Sequence, residues 1–261
     1  MRVMPTVPNL RVISLDRLCR HEEIDPLRVN RLVERIDADG IQVNPMICSE
    51  APSGDLVVLD GATRTEALKQ LGMDHAVVQV VDPGRITLET WHHVVRECGS
   101  DEVVAQIAGT DPLTLAHNEF TPRIHTADGE SYSVLGAGIS PNATLSALVG
   151  TYTGRWRVNR VADPTIESVE WRYPDWCAVL ELPTLTVEEV MKAAVGEDLL
   201  PAGITRFLIP ERALRINIDI SLLHSDRTQD EKQQSLEDLL VQRANDGRIR
   251  RYEEAVFILD D

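Results

Sequence analysis

Val57-Val58-Leu59-Asp60-Gly61-Ala62-Thr63-Arg64-Thr65-Glu66-Ala67-Leu68-Lys69-Gln70-Leu71-Gly72 is the stretch that decides the reading of this chain. An apolar strand runs into an Asp-Gly turn, and a helix begins at once, with Gly72 as its stop. Ala67, Leu68 and Leu71 form the packing stripe of that helix, and Arg64 shares the face by i, i+3, i+4, i+7 spacing. Asp-Gly commonly marks a hairpin between two strands; the helix that follows here points instead to a binding turn. A helix start offers unpaired N–H groups and a positive dipole end, and a planar guanidinium beside them makes an anion site, with phosphate the obvious candidate. A plain Asp-Gly turn with a solvated arginine is the alternative reading of the same residues.

On either side of this unit, strands and helices alternate. Residues 10–13 read as a strand. Asp25-Pro26 opens a helix as N-cap and first helical residue, Val29, Leu32, Val33 and Ile36 give its stripe, and Gly40 ends it. Residues 45–48 and 56–59 read as buried strands around a polar turn, 76–81 as a valine strand, and 86–95 as an extended or mixed segment containing Trp91. This alternation predicts an α/β unit over residues 8–97. Residues 98–261 read as a mixed α+β body packed closely against it. A short helix is expected over 101–108, strands with Gly and Pro turns within 119–134 and 154–182, and a loop-strand over 200–208. Further strands are expected over 213–220 and 252–259. Thr186-x-x-Glu189 and Thr228-x-x-Glu231 are capping boxes for helices reaching about residue 195 and Gly247.

The chain of 261 residues has 26 Lys and Arg against 42 Asp and Glu, a net charge of −16. Such a surface repels a phosphate backbone on average and counts against a nucleic-acid partner; the basic tract from Arg243 to Arg251 is broken by Asp246 and reads as a solvated face. No apolar run spans a bilayer, and the first residues lack the basic-then-apolar layout of a secretion signal. Cys19, Cys48, Cys98 and Cys177 are scattered, without a C-x-x-C pair, which suggests neither a disulfide framework nor a zinc site and fits a cytoplasmic protein. A P-loop sequence is absent. Gly136-Ala137-Gly138 fails as a dinucleotide fingerprint because Pro141 stands where its third glycine belongs, and neither a nucleophile elbow nor a protein-kinase signature is present.

Three candidate pieces remain beside the Arg64 turn. Glu22, in the loop before the Asp25 helix, is a candidate general base for a hydroxyl nucleophile, whereas Glu23 reads better as a complement to the helix dipole. Asp60 is a candidate magnesium ligand, or else a turn aspartate bonded to its own backbone. Trp91-His92-His93 supplies an aromatic wall or core packing.

These residues together resemble the free L-serine kinases, enzymes with a ParB/sulfiredoxin-like domain. The resemblance rests on His21-Glu22, Asp25-Pro26-Leu27-Arg28, Asp60-Gly61-x-x-Arg64 with Ala67-Leu68 and Leu71-Gly72, and Thr90-Trp91-His92. Later in the chain it rests on Leu200-Pro201-Ala202-Gly203-Ile204-Thr205-Arg206, Arg212-Ala213-Leu214-Arg215-Ile216-Asn217 and Arg251-Tyr252-Glu253-Glu254-x-Val256-Phe257. What it implies is a ParB/sulfiredoxin-like N-terminal domain over 8–97, a substrate-completing domain over 98–261, and phosphoryl transfer from ATP or ADP to the hydroxyl of free L-serine. On that resemblance Glu22 is the general base, Asp60 positions phosphate and Mg2+, Gly61, Thr63 and Arg64 cradle phosphate, and Trp91, Thr205 and Arg206 enclose the amino acid. The sequence departs from the family at Thr63 and Phe207, where relatives carry histidine. Ala62 stands where sulfiredoxins carry their reactive cysteine, which excludes their chemistry. A ParB-like regulator binding DNA or nucleotide is the alternative, and a ligand sensor with a non-catalytic Glu22 a third.

Overall fold

The computed structural model describes residues 7–252. Strands β1 (Leu10–Ser14) and β2 (Leu18–Arg20) precede α1 (Pro26–Asp39), whose start is capped by the Asp25 carboxylate at 2.9 Å from the Leu27 N–H and whose end turns left-handed at Gly40. There follow β3 (Ile41–Gln42), β4 (Met46–Glu50), β5 (Leu56–Asp60), α2 (Ala62–Gln70) and β6 (His75–Val81). Five of these strands form one sheet in the order β1-β6-β4-β5-β2. β5 is buried on both faces: Leu56 and Val58 meet the layer of α1 and α2, while Val57 and Leu59 meet the second half of the chain. That double burial is why its sequence is a continuous apolar run.

The chain then makes β7 (Thr87–Thr90), β8 (His92–Arg96), α3 (Ser100–Ala108), β9 (Leu113–Ala116), β10 (Arg123–Thr126) and β11 (Ser131–Gly136). Helix α4 (Pro141–Tyr152) leads to β12 (Arg157–Val161), α5 (Ile166–Arg172), β13 (Trp176–Glu181) and α6 (Val187–Gly196). Six strands make an antiparallel sheet ordered β12-β8-β13-β10-β11-β9. After β14 (Thr205–Leu208), which pairs with β7, come β15 (Ile218–Asp219), α7 (Ile220–His224) and α8 (Gln229–Asn245).

One apolar core runs from Ile47, Val57 and Leu59 of the first sheet through α6 to Val95, Ala178 and Leu180 of the second. The sheets do not divide at residue 97 as the alternation predicts. β8 lies inside the second sheet, between β12 and β13, and α8 returns to the first, with Leu236 in its core and Gln233 accepting the Val12 N–H at 2.8 Å. The expected segment 86–95 splits at Trp91, whose N–H bonds Ile204. The expected strand over 213–220 survives only as β15, because Arg215 and Asn217 take positive φ. Pro141, which spoiled the glycine fingerprint, is the first residue of α4. The strand expected over 252–259 lies, beyond Tyr252, outside the described residues. Cys98 and Cys177, far apart in sequence, bring their sulfurs to 2.6 Å. No helix among the described residues is long and apolar enough to cross a membrane.

One buried side chain stands in for a missing ladder. Gln42 accepts the Val77 N–H at 3.0 Å and donates to the Val77 carbonyl at 2.7 Å. Gln42→Leu strands both backbone groups, and an unsatisfied buried group costs roughly 1–3 kcal/mol. The variant is expected to lower the stability measured in denaturant by about 2–6 kcal/mol, whereas exposed Gln70→Leu changes little.

Candidate active site

The end of β5 and the start of α2 build one wall of a cleft. Gly61 is the N-cap of α2 at φ 110°, and no side chain caps the helix, so its first N–H groups are left for a ligand. Glycine is required here: a Cβ on Gly61 would stand 2.6 Å from Arg64 Nη1 and 2.9 Å from Met46 Cγ. Arg64 folds back along the turn and donates to the Pro45 carbonyl at 2.8 Å. Burial lowers its pKa, and neighbouring Asp60 opposes that shift. Asp60 pairs with Arg212, whose position is set from the first sheet. The Gln79 side chain donates to the Glu211 carbonyl at 3.1 Å and accepts the Ala213 N–H at 2.8 Å, bracketing Arg212.

The facing wall is a crossing of two chain segments. Leu200 N–H bonds the His21 carbonyl at 2.9 Å, and Glu23 N–H bonds the Leu200 carbonyl at 2.8 Å. His21 is fully buried, with Nδ1 at 2.7 Å from the Val58 carbonyl and Nε2 at 3.0 Å from Thr205 Oγ1. A carbonyl only accepts, so Nδ1 carries the proton and Nε2 accepts from the threonine. Burial lowers the His21 pKa and keeps the ring neutral. Between these anchors the Glu22 Oε2 accepts the Gly203 N–H at 2.9 Å. The Gly203 carbonyl is in turn 3.4 Å from Nε2 of buried His93, whose pKa burial pushes down to about 4. His93 Nδ1 accepts from the Tyr152 hydroxyl at 2.8 Å.

The cleft between the walls measures about 460 Å³ and is lined by Glu22, Asp60, Gly61, Thr63 and Arg64, five of the residues singled out from the sequence. It is also lined by residues that the sequence reading missed: Arg31 and Arg35 on the face of α1 that carries Arg28, and Arg160 from β12. The i, i+3, i+7 spacing of Arg28, Arg31 and Arg35 was the available signal. Trp91, Thr205 and Arg206 are not brought to the cleft. Thr205 is spent on His21, behind Glu22. The Arg206 guanidinium lies 4.5 Å above the Trp91 ring and 3.1 Å from Glu89, so Arg206 and Glu89 of the β7–β14 ribbon and the adjoining Trp91 satisfy one another. Among the described residues no three His, Cys, Asp or Glu side chains are grouped to hold a metal by themselves.

No protein-family model matches the chain. It is 25% identical over 255 residues, 97% of each chain, to the ATP-dependent L-serine kinase SbnI of Staphylococcus aureus. It is 33% identical over 87 residues to the ATP-dependent L-serine kinase of Staphylothermus marinus, a match covering 32% of this chain and 34% of that one. Among solved structures, C-terminally truncated SbnI from Staphylococcus aureus superposes with a TM-score of 0.74 at 24% identity, covering 90% of this chain and 97% of that one. A free serine kinase in complex with AMP gives a TM-score of 0.73 at 16% identity over 85% of this chain and 97% of its own. The chain has the fold of these structures.

The turn at Gly61 can be separated from general helix-end strain. Gly61→Ala meets both a positive φ and the Arg64 and Met46 atoms, whereas Gly40→Ala, at φ 66°, meets nothing within 4 Å. Gly40→Ala is expected to cost about 1 kcal/mol from backbone strain. Gly61→Ala is expected to cost more, roughly 1–3 kcal/mol, and to weaken binding of inorganic pyrophosphate measured by calorimetry, which Gly40→Ala leaves unchanged.

Proposed function

We propose that this protein is an ATP-dependent L-serine kinase that forms O-phospho-L-serine in the cytoplasm. The observation that carries the reading is similarity along 97% of the chain to a named ATP-dependent L-serine kinase. The cleft supports it by setting a carboxylate opposite an uncapped helix start. We assign the strand–Asp60-Gly61–helix half of the molecule to the ParB/sulfiredoxin-like class, with the second sheet completing the pocket.

Phosphoryl transfer asks mainly for alignment and charge stabilisation. The N–H groups of the first turn of α2, Thr63 and Arg64 hold the phosphate chain, since they present donors and a fixed guanidinium to one wall. Glu22 is the general base. One of its oxygens is fixed by Gly203, which aims the carboxylate and leaves the other oxygen for the serine hydroxyl proton. Buried, neutral His21 holds the loop behind it. Asp60 is the assigned carboxylate at the phosphate turn itself, and carboxylate oxygen suits a hard cation. A lone carboxylate beside a phosphate site fits Mg2+, which takes one or two carboxylates and completes its shell with phosphate oxygens and water. Bound there, Mg2+ would neutralise charge on the phosphates. Arg212 shares the Asp60 carboxylate and holds it at the cleft edge.

Incubation of the protein with ATP, Mg2+ and L-serine is expected to yield O-phosphoserine, detected by mass spectrometry, with ADP as the comparison donor. Glu22→Gln is expected to lower kcat by about 10²–10⁴-fold, the range for a general base, and to leave ATP affinity within a few-fold of the parent. Arg64→Lys keeps the charge but loses the planar fork that reaches both Pro45 and a phosphate oxygen. It is expected to weaken ATP binding on the order of tenfold, a charged hydrogen bond being worth about 1.5–3 kcal/mol. Absence of O-phosphoserine with either donor would sink the kinase reading.

A further inference from the structure

We propose that Arg160, together with Arg28, clamps the carboxylate of the amino-acid substrate and makes the enzyme selective for an amino acid over the corresponding amino alcohol. The inference rests on the kinase reading of the same cleft. Arg160 comes from β12, in the second sheet, yet its side chain crosses the 201–203 turn to line the cleft beside Glu22. The turn is shaped to let it pass: a Cβ on Gly203, at φ 81°, would lie 1.8 Å from Arg160 Nη2 and 2.2 Å from its Cζ. The same Gly203 supplies the N–H that fixes Glu22, so base and guanidinium are positioned by one residue.

Two clusters of charge divide the cleft. Arg64 has Asp60 and Arg212 as its charged neighbours, at the helix start that suits phosphate. Arg160 has Arg28 and Glu22, so two guanidinium groups repel each other next to the base. Neither Arg28 nor Arg160 makes an ion pair among the described residues, in a chain with 42 acidic side chains to choose from. Two guanidinium groups with the single Glu22 carboxylate as their charged neighbour leave positive charge unbalanced, which suits a bound anion, and planar forks suit a carboxylate or phosphate. The phosphate chain is accounted for at α2. A serine hydroxyl placed at Glu22 carries its carboxylate two bonds from the hydroxyl-bearing carbon, within reach of the guanidinium beside that base. Arg206, which the family resemblance puts around the amino acid, is occupied by Glu89 and Trp91.

The test compares L-serine with ethanolamine, which keeps the hydroxyl and ammonium groups and lacks the carboxylate. With the parent enzyme, ethanolamine is expected to be the poorer substrate. Arg160→Ala is expected to raise the KM for serine on the order of 10- to 100-fold, the worth of one charged hydrogen-bonded contact. It should change kcat by no more than a few-fold and leave kcat/KM for ethanolamine unaltered. Gly203→Ala, whose methyl takes the place of the guanidinium, is expected to raise the serine KM in the same direction, and Arg160→Lys to recover part of the loss. Equal losses with serine and ethanolamine would overturn the proposal and put Arg160 on the transferred phosphoryl group. An unchanged serine KM would overturn it too, leaving a surface arginine. A parent protein that forms no O-phosphoserine overturns the kinase reading and this inference together, whereas an active parent with an indifferent Arg160→Ala overturns this inference alone.

Discussion

The structure depends on the crossing of residues 21–23 with residues 200–205. There the polar groups of two distant segments satisfy one another around the buried His21 and Leu200. His21 gives its backbone carbonyl to Leu200, its Nδ1 proton to Val58 and its Nε2 lone pair to Thr205. Each bond is modest in net terms, but a buried group left without its partner costs more than the bond contributes. The arrangement is therefore held as a set. Glu22 sits in the middle of that set with one oxygen already bonded, which fixes the direction of the other. Phe207 meets the His21 ring edge-on at 5.6 Å, closing the apolar side of the same joint.

Around this joint the molecule separates the charges it needs from those it must neutralise. The Asp60–Arg212 pair is partly exposed, at 44% and 31% of the side-chain surface, so its contribution to stability is modest and its use is geometric. Its geometry is inherited from Gln79, a buried amide of the first sheet that holds the backbone on both sides of Arg212. A similar device, with Gln42, completes the ladder of Val77. Both glutamines look like surface residues by type, and both act as extra backbone inside the protein.

This explains what the sequence could disclose. Local signals were legible because their causes are local. Asp25-Pro26 and Gly40 bound α1, the two Thr-x-x-Glu boxes open α6 and α8, and Asp60-Gly61 turns β5 into α2. The cleft residues near that turn, together with Glu22, lie within one αβ stretch and share this legibility. Arg160 was not legible, because its placement depends on the space left by Gly203, in a segment that only the fold brings near. Arg206 could not be placed from the sequence for the same reason: its neighbours Glu89 and Trp91 are set by the β7–β14 pairing, which no local pattern announces. The short helix α5 was hidden among strands because it buries a single residue, Val169, too little for a helical stripe.

The division of the chain follows from the same physics. Cut after residue 97, the first half would lose the partners of the His21 carbonyl, His21 Nε2, the Glu23 N–H and Glu22 Oε2. The cut would also uncover Val57 and Leu59, whose outer faces pack on the core shared with the second sheet, and remove α8 from β1. β8 would be left as a strand without either neighbour. The two sheets thus share one apolar core, with a cleft at their junction. A carboxylate from one side, fixed by an N–H from the other, is what such a junction can supply and a single sheet cannot.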